Sequence, residues 1–337
     1  MDLRPGLVLA TGPNGAGKTN LLESLHVGTQ GFSPRTRSDA GLIRFGAEAA
    51  RVALAGDRAG SPLEMELVLQ PREARRATLN GARLESAEQL RREVATLVFT
   101  PDRLVVVKGG PAARRAYFDR VLARALPVLA PLPTDYAASL AQRNASLRGV
   151  AGGFSSREAL APWTQRVAEL GADLVAARQR AIDLLAPRFA ERADELGLAE
   201  ATLRYDGEAP TLELLETRLE RDLERGSTGF GPHLDDVAIL AAARDLRAFG
   251  SQGEQRLTVL ALLLAEAELV AEQRGFPPLL LLDDVLSELD PERRRILAAR
   301  LRAYGQSVIT TTSAAALPDG PDQLLEVRAS PAGTVVV

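Results

Sequence analysis

The apolar residues of this chain follow two different periods, and the change between them divides the sequence. Short apolar runs bounded by Gly, Pro, Asn or charged residues predict strands near both ends of the chain. The predicted strands are residues 7–10, 51–54, 63–69, 77–79, 94–99, 104–107, 234–240, 245–249, 279–282, 307–311, 324–328 and 334–337. From residue 112 to about 225, apolar positions recur every three or four residues, which predicts helices.

Further helices are predicted at residues 20–26, 254–273 and 291–304. Asn80-Gly81 predicts a hairpin turn, because both residues accept the positive φ that such a turn needs. Strand, loop and helix alternate on both sides of the helical stretch. The pattern therefore predicts an α/β domain that is split by a helical insertion of roughly 115 residues.

Charge and composition narrow the class of protein. The 337 residues carry a net charge of −3, so a nucleic-acid site would have to be a local basic patch. No apolar stretch reaches the roughly 18 residues of a membrane span, no export signal is visible, and cysteine is absent. These features favour a cytoplasmic protein with no thiol chemistry and no membrane partner.

A glycine-rich loop between the first predicted strand and helix matches the P-loop pattern at every fixed position. Its residues are Gly12, Pro13, Asn14, Gly15, Ala16, Gly17, Lys18 and Thr19. Backbone N–H groups of such a loop surround the β-phosphate, Lys18 bridges the β- and γ-phosphates, and the Thr19 hydroxyl ligates Mg²⁺. Lys18 is one of two lysines among 41 basic residues, which indicates a position where a planar guanidinium is too bulky. The loop predicts ATP and Mg²⁺ as cofactors.

Two carboxylates follow the most apolar predicted strand. Asp283 and Asp284 come directly after four leucines, at the end where parallel sheets bind ligands. In a P-loop protein, Asp283 is predicted to hold Mg²⁺ and Asp284 to polarise the attacking water. Asp284 and Lys18 are thus the candidate catalytic residues, with Glu288 as an alternative base.

A third motif begins the helix that precedes this strand. Ser251 with Glu254 three residues later is a capped helix start in isolation. Between a P-loop and an Asp-Asp pair, residues 251–256 resemble the Ser-x-Gly-x-Gln signature of ATP-binding-cassette ATPases, and residues 287–290 resemble their D-loop. The resemblance implies a P-loop ABC-type ATPase head, in which Ser251, Gly253 and Gln255 contact ATP held by the other subunit of a dimer.

The lobes of such a head can be placed on this chain. Lobe I, the ATP-binding α/β lobe, would comprise residues 1–110 and 231–337. Lobe II would be the helical insertion at residues 111–230, with the signature 251–256 at the junction.

Other motifs are similar to those of the RecF family of bacterial recombination mediators. They are residues 101–119, 142–144, 231–236 and 282–290. The resemblance extends from residue 5 to about 312 and implies an ATP-dependent homodimer that binds duplex DNA near single-strand gaps and single-strand/double-strand junctions. It further implies that the protein acts with RecR and RecO to place RecA on the gap in DNA repair and replication and in the SOS response. Weak DNA-stimulated ATP hydrolysis would drive release.

Some positions depart from the family pattern. The family begins with a strand and an Asn-Phe-Arg-Asn-like segment before the P-loop, so we expect either a misassigned start or missing first strands here. Arg103 and Leu234 stand where the family tends to carry an acidic residue and an arginine. The last core strand ends in Thr310-Thr311-Thr312 rather than in the switch histidine of transporters, which fits slow turnover.

Three other classes of protein compete with this interpretation. The ATPase subunit of a transporter would carry a tighter Leu-Ser-Gly-Gly-Gln signature and a switch histidine. A Rad50 or condensin-type head would carry a coiled-coil insertion of hundreds of residues, whereas this insertion lacks sustained heptads. A DNA clamp or scaffold that binds ATP without hydrolysing it remains compatible with the motifs.

Overall fold

The apolar runs form the central strands of a sheet because a parallel sheet is covered on both faces. Residues 7–10 and 280–282 have no solvent exposure. A computed structural model describes residues 1–36, 38–58, 60–317, 319–330 and 333–337. The side chains of Glu88, Pro101 and Glu288 lie outside the description.

The regular elements are numbered in chain order. The strands are β1 Leu7–Thr11, β2 Ala50–Arg58, β3 Ser61–Leu69, β4 Arg76–Leu79, β5 Ala82–Arg83, β6 Thr96–Phe99, β7 Ala201–Asp206, β8 Asp236–Ala241, β9 Arg244–Asp245, β10 Leu279–Asp283, β11 Ser307–Thr311, β12 Gln323–Ser330 and β13 Gly333–Val336. The helices are α1 Lys18–Gln30, α2 Leu90–Glu93, α3 Val105–Lys108, α4 Pro111–Ala125, α5 Leu132–Ala151, α6 Ala161–Glu195, α7 Leu212–Thr217, α8 Leu219–Arg225, α9 Leu246–Phe249, α10 Gln252–Arg274 and α11 Pro291–Ala303.

The chain divides into two compact units. The first unit contains Met1–Arg103 and Val270–Val337, and the second contains Leu104–Leu269. In this division residues 231–269, including the signature, lie with the helical unit. The lobe limits of the sequence analysis stay a prediction about domains.

A six-stranded sheet organises the first unit. Its order is β13-β12-β1-β11-β10-β6, and all neighbouring pairs are parallel except β12 with β13. The strand before the P-loop therefore has β11 on one side and β12 on the other. The parallel arrangement puts the carboxyl ends of β1, β10 and β11 at one edge, where ligands of α/β sheets bind.

A second, antiparallel sheet of the first unit contains β2, β3, β4 and β5 in that order. The predicted hairpin at Asn80-Gly81 is confirmed, because Leu79 pairs with Ala82 and both turn residues have positive φ, 48° and 80°. Alternate residues of β3 are buried beside α1 residue Val27, which closes a second apolar core. The sheet thus packs its apolar face inward and leaves the other in solvent.

The second unit is mainly helical, as predicted, and carries a small antiparallel sheet, β7-β8-β9. Helices α4, α5 and α6 share an apolar core around Leu122, Val167 and Leu174. Within the part of the chain that the structure describes, no helix has the length and apolar content of a membrane span.

Three local predictions are wrong. Most of residues 104–107 and 245–249, predicted as strands, lie in helices α3 and α9, because a short apolar run is compatible with either element. Asp245 caps α9 by accepting a hydrogen bond from the Arg247 N–H at 2.8 Å. Strand β7 was predicted as helix, and its pairing with β8 stabilises the extended form.

Candidate nucleotide-binding site

The P-loop connects β1 to α1 and fits tightly against the end of the sheet. A Cβ atom on Gly12 would lie 2.2 Å from the Val327 carbonyl oxygen, and one on Gly17 would lie 2.0 Å from Thr334 Oγ1. Gly17 also has a φ of 99°, which other residues rarely adopt. The first and last glycines of the loop are thus required by packing against the β12–β13 hairpin.

The two polar residues that begin α1 point in different directions. Lys18 Nζ donates to the carbonyl oxygens of Gly12 at 2.7 Å and Pro13 at 3.0 Å, so the ammonium group lies across its own loop. Thr19 Oγ1 donates to Asp283 Oδ2 at 2.9 Å, joining residues 264 positions apart. The fold therefore brings together the residues predicted to bind phosphate and metal.

The carboxyl end of β10 is organised by the neighbouring strand β11. Thr310 Oγ1 donates to Asp283 Oδ1 at 2.6 Å and accepts from the Asp284 N–H at 3.0 Å. Asp284 adopts a left-handed conformation with a φ of 50°, and Ser287 Oγ donates to its Oδ2 at 3.2 Å. The strained turn sends the carboxylates of Asp283 and Asp284 in different directions, which fits different roles.

Thr310 was not predicted as a site residue. Sequence reasoning noticed only that no histidine ends this strand. The available signal was a hydroxyl at the carboxyl end of a strand that parallel pairing would place beside Asp283.

The donor set of Thr19 and Asp283 fits Mg²⁺. Hydroxyl and carboxylate oxygens are its preferred protein ligands, and it keeps several waters and phosphate oxygens. Thr310 holds the other carboxylate oxygen of Asp283 and so fixes its orientation. The side chain of Glu288, the alternative base, lies outside the described residues.

A cluster that the sequence analysis missed lines a cleft beside Thr19 and Asp283. Glu23 of α1 accepts hydrogen bonds from Ser33 Oγ and, at 3.2 Å, from Arg35 Nη1. Ser33 Oγ accepts in turn from the backbone N–H groups of residues 35 and 36. The segment after α1 is thereby fastened beside the predicted metal ligands.

The signature residues lie in the second unit and form a reciprocal capping box. Ser251 N donates to Glu254 Oε2 at 2.7 Å, and Glu254 N donates to Ser251 Oγ at 3.2 Å. The Ser251 N–H and hydroxyl lower the pKa of Glu254 below its ordinary value. Gln255 is buried and donates through Nε2 to the Leu246 carbonyl oxygen at 3.0 Å, so its amide nitrogen fastens α9 to α10.

Gly253 has no packing reason to be glycine within the described chain. The atom nearest to an added Cβ would be Ser251 Oγ, 3.9 Å away. Glycine in a helix costs about 1 kcal/mol relative to alanine. The open space beside Gly253 leaves room for close approach by another molecule.

Several motif residues of the second unit form buried ion pairs. Arg143, fully buried, donates to Asp222 Oδ2 at 2.8 Å and to Thr228 Oγ1 at 2.6 Å. Arg114 forms two bonds to the Asp236 carboxylate at 2.7 and 2.6 Å, and Arg115 donates to the Asp235 carbonyl oxygen. These contacts explain Arg143 and Arg114 structurally, as anchors of residues 222–236.

His233 belongs to the same network. Its Nε2 lies 3.0 Å from the Thr228 carbonyl oxygen, which can only accept, and its Nδ1 lies 2.8 Å from the Tyr136 hydroxyl. Nε2 therefore carries a proton and donates, while Nδ1 can either donate to or accept from the Tyr136 hydroxyl. Burial lowers the pKa of His233, which favours the neutral ring.

This network makes a testable prediction about stability. Replacing Asp222 with Ala leaves the Arg143 guanidinium buried without its charge partner, and we expect a loss of about 3–5 kcal/mol in the free energy of unfolding. Urea unfolding measures it. The control is Glu220→Ala, which breaks an exposed pair with Arg157 and should cost less than about 1 kcal/mol. Equal losses for the two variants would contradict the structural role of Arg143.

Comparisons with known proteins agree with one another. The family model described as the RecF/RecN/SMC N terminal domain matches residues 1–335. A DNA replication and repair protein RecF of Heliobacterium modesticaldum is 35% identical, over 93% of this chain and 88% of that protein. A protein of the same name from Anaeromyxobacter sp. is 38% identical, over 91% and 86%. A solved structure of the recombination mediator protein RecF-ATP in the RecFOR pathway has a TM-score of 0.87 at 27% identity, covering 100% of this chain and 93% of that one.

Proposed function

This chain belongs to the RecF/RecN/SMC N-terminal-domain family, and from that membership we propose that it is an ATP-binding, DNA-binding protein of DNA replication and repair. The observation that carries the proposal is the Thr19–Asp283 hydrogen bond. This hydrogen bond joins the P-loop to the end of β10 in the arrangement that binding of a nucleoside triphosphate requires. The similarity to RecF relatives over most of their length supports the DNA-repair assignment.

The finer proposal concerns what ATP binding achieves. The chain would dimerise around two ATP molecules, bind duplex DNA near single-strand gaps, and help to load RecA together with RecO and RecR. Slow, DNA-stimulated ATP hydrolysis would then drive release. Two features support slow rather than absent turnover. The Asp284 carboxylate is directed away from that of the predicted metal ligand Asp283, and β11 ends without a histidine.

Each site residue has a distinct role in this proposal. The backbone of residues 12–17 and the Lys18 ammonium would hold the phosphates, while Thr19 and Asp283 would hold Mg²⁺. Mg²⁺ held there would neutralise charge on the phosphates. Thr310 orients Asp283, and Asp284 would accept a hydrogen bond from the attacking water and orient it in line.

The signature is proposed to complete the site of the other subunit. Ser251 Oγ accepts from Glu254 N at the start of α10, and its own proton would turn from the Glu254 carboxylate to a phosphate oxygen. Gly253 allows that phosphate to approach, and the start of α10 adds the positive end of its dipole. Gln255 would support these contacts by fastening the start of α10 to α9, through its hydrogen bond to the Leu246 carbonyl oxygen.

One experiment separates the proposed ATPase from the ATP-binding clamp that does not hydrolyse. Phosphate release is measured with and without gapped duplex DNA, and dimerisation is followed by sedimentation with and without ATP. The proposal expects ATP-dependent dimers and phosphate release that gapped DNA increases. If the protein dimerises on DNA but releases phosphate no faster than the Asp284→Asn variant does, the result favours the clamp.

Asp284→Asn tests the assignment of the base. Asn keeps the size and hydrogen bonding of Asp but removes the charge that orients water, so we expect hydrolysis to fall about 100-fold or more. ATP affinity should stay within a few-fold, and the dimer should persist on DNA. The control is Asp173→Asn, which makes the same change at an exposed position of α6. Unchanged turnover in Asp284→Asn would move the role to Glu288 or another group.

A further inference from the structure

Glu254 carries a negative charge beside the serine that is proposed to meet a phosphate, and the proposed function gives this charge no task. Its carboxylate accepts from the Ser251 N–H at 2.7 Å. That N–H, and then the Ser251 hydroxyl that also donates to it, lower the pKa of Glu254 and keep it ionised. A capping box needs only a side-chain oxygen at this position, and Gln supplies one as well as Glu does. The start of α10 therefore does not require the charge.

One arginine of the same unit lies against this carboxylate. Arg244 of β9 donates through Nη2 to Glu254 Oε1 at 3.3 Å, and the two side chains are 54% and 28% exposed. An exposed ion pair of this kind adds little to the stability of the fold. Its effect is local, because it neutralises part of the negative charge next to Ser251.

A phosphate that approaches the Ser251 hydroxyl would be opposed by Glu254 in two ways. It must take the proton that the hydroxyl donates to the carboxylate, and it brings a second negative charge close to the first. We propose that Glu254 weakens the ATP-dependent closure of the dimer and that Arg244 limits this effect by neutralising part of the carboxylate charge. The inference rests on the proposed contact of Ser251 with the ATP of the other subunit, and it adds what regulates that contact. Glu254 and Arg244 are positioning residues, since both act through Ser251.

The test measures dimerisation of the full chain by sedimentation with a slowly hydrolysed ATP analogue. Glu254→Gln removes the charge and keeps the oxygen that caps the helix. Arg244→Ala removes the compensating charge, and the double variant shows whether Arg244 acts through Glu254. The matched controls are Glu208→Gln and Arg180→Ala, which make the same changes at exposed positions of the second unit.

We expect Glu254→Gln to lower the dissociation constant of the ATP-bound dimer about ten-fold, because the closed dimer contains two such contacts. Arg244→Ala should raise that constant about five-fold, and it should have no further effect when Glu254 is already replaced. The two controls should dimerise like the wild type. The gain from Glu254→Gln should shrink as the salt concentration rises, because screening weakens the repulsion between charges.

Unchanged or weaker dimerisation by Glu254→Gln would overturn the inference, and so would a gain that salt does not reduce. A loss from Arg244→Ala that persists in the double variant would overturn it as well, because Arg244 would then act without Glu254. Failure of the proposed function gives a different result. Ser251→Arg would then dimerise with ATP like the wild type, and the regulation of that contact would be refuted together with the contact itself.

Discussion

Lys18→Ala is expected to abolish ATP-dependent dimerisation. The γ-phosphate loses the one mobile cation of the loop, and charge-assisted hydrogen bonds of this kind contribute about 1.5–3 kcal/mol each. ATP affinity should fall about ten- to a hundred-fold. Because the ammonium bonds to the Gly12 and Pro13 carbonyl oxygens of its own loop, its removal should leave the fold intact.

Other substitutions at this position separate charge from shape. Lys18→Met keeps most of the aliphatic length without the charge and should behave like Lys18→Ala. Lys18→Arg keeps the charge, so we expect retained nucleotide binding, but the planar guanidinium should place the γ-phosphate poorly and slow hydrolysis.

Equilibrium binding of a labelled ATP analogue, together with sedimentation, measures these effects. The matched control is Lys108→Ala, which removes the other lysine of the chain from an exposed position at the end of α3. It should bind ATP and dimerise like the wild type. Wild-type dimerisation by Lys18→Ala would refute the role of the P-loop.

Ser251→Arg is expected to leave nucleotide binding by the monomer nearly unchanged while blocking closure of the dimer. A bulky cation at a crowded interface costs several kcal/mol, more than the surplus that holds a transient dimer together. The loss of the N-cap hydroxyl costs only about 1 kcal/mol of helix stability. Tight binding to duplex DNA should disappear as well, because one subunit with a net charge of −3 offers few basic contacts.

The control for this variant is Ser155→Arg, which introduces the same side chain at an exposed serine of the second unit. It should dimerise normally with ATP. Full dimerisation by Ser251→Arg would contradict the proposal that the signature completes the site of the other subunit.

Mixing Ser251→Arg with Lys18→Ala protein makes the test specific to that arrangement. A mixed dimer contains one site with the intact P-loop of the first variant and the intact signature of the second. We expect the mixture to recover part of the wild-type phosphate release, at most about half, since one of two sites is complete. Each variant by itself should stay inactive.

Much of the nucleotide site could be predicted because its signals are local. The P-loop is a contiguous segment between a strand and a helix, and Asp283-Asp284 ends a strand of leucines. Ser251 and Glu254 are three residues apart, so their capping box follows from helix geometry alone. The long strands and helices were also predicted, because their apolar period extends over several residues.

The conformation of short segments and the partners of buried charges were harder to predict from the sequence. The apolar runs that became α3 and α9 are too short to show a period, and neighbouring elements decide their conformation. Arg143 belongs to the motif at residues 142–144, and the motif itself does not indicate that this arginine is fully buried against Asp222. Its partner lies on another helix, and nothing in the sequence around either residue announces the pair.

The sequence by itself thus determined the α/β class, and it predicted the phosphate chemistry of the P-loop and the role of Asp283 as a metal ligand. The order of the strands was decided only by the tertiary structure. Parallel pairing places Thr310 between Asp283 and Asp284, and it places the β12–β13 hairpin against Gly17. These contacts depend on which strands become neighbours, and that choice minimises the exposed apolar surface of the whole sheet rather than of any one segment.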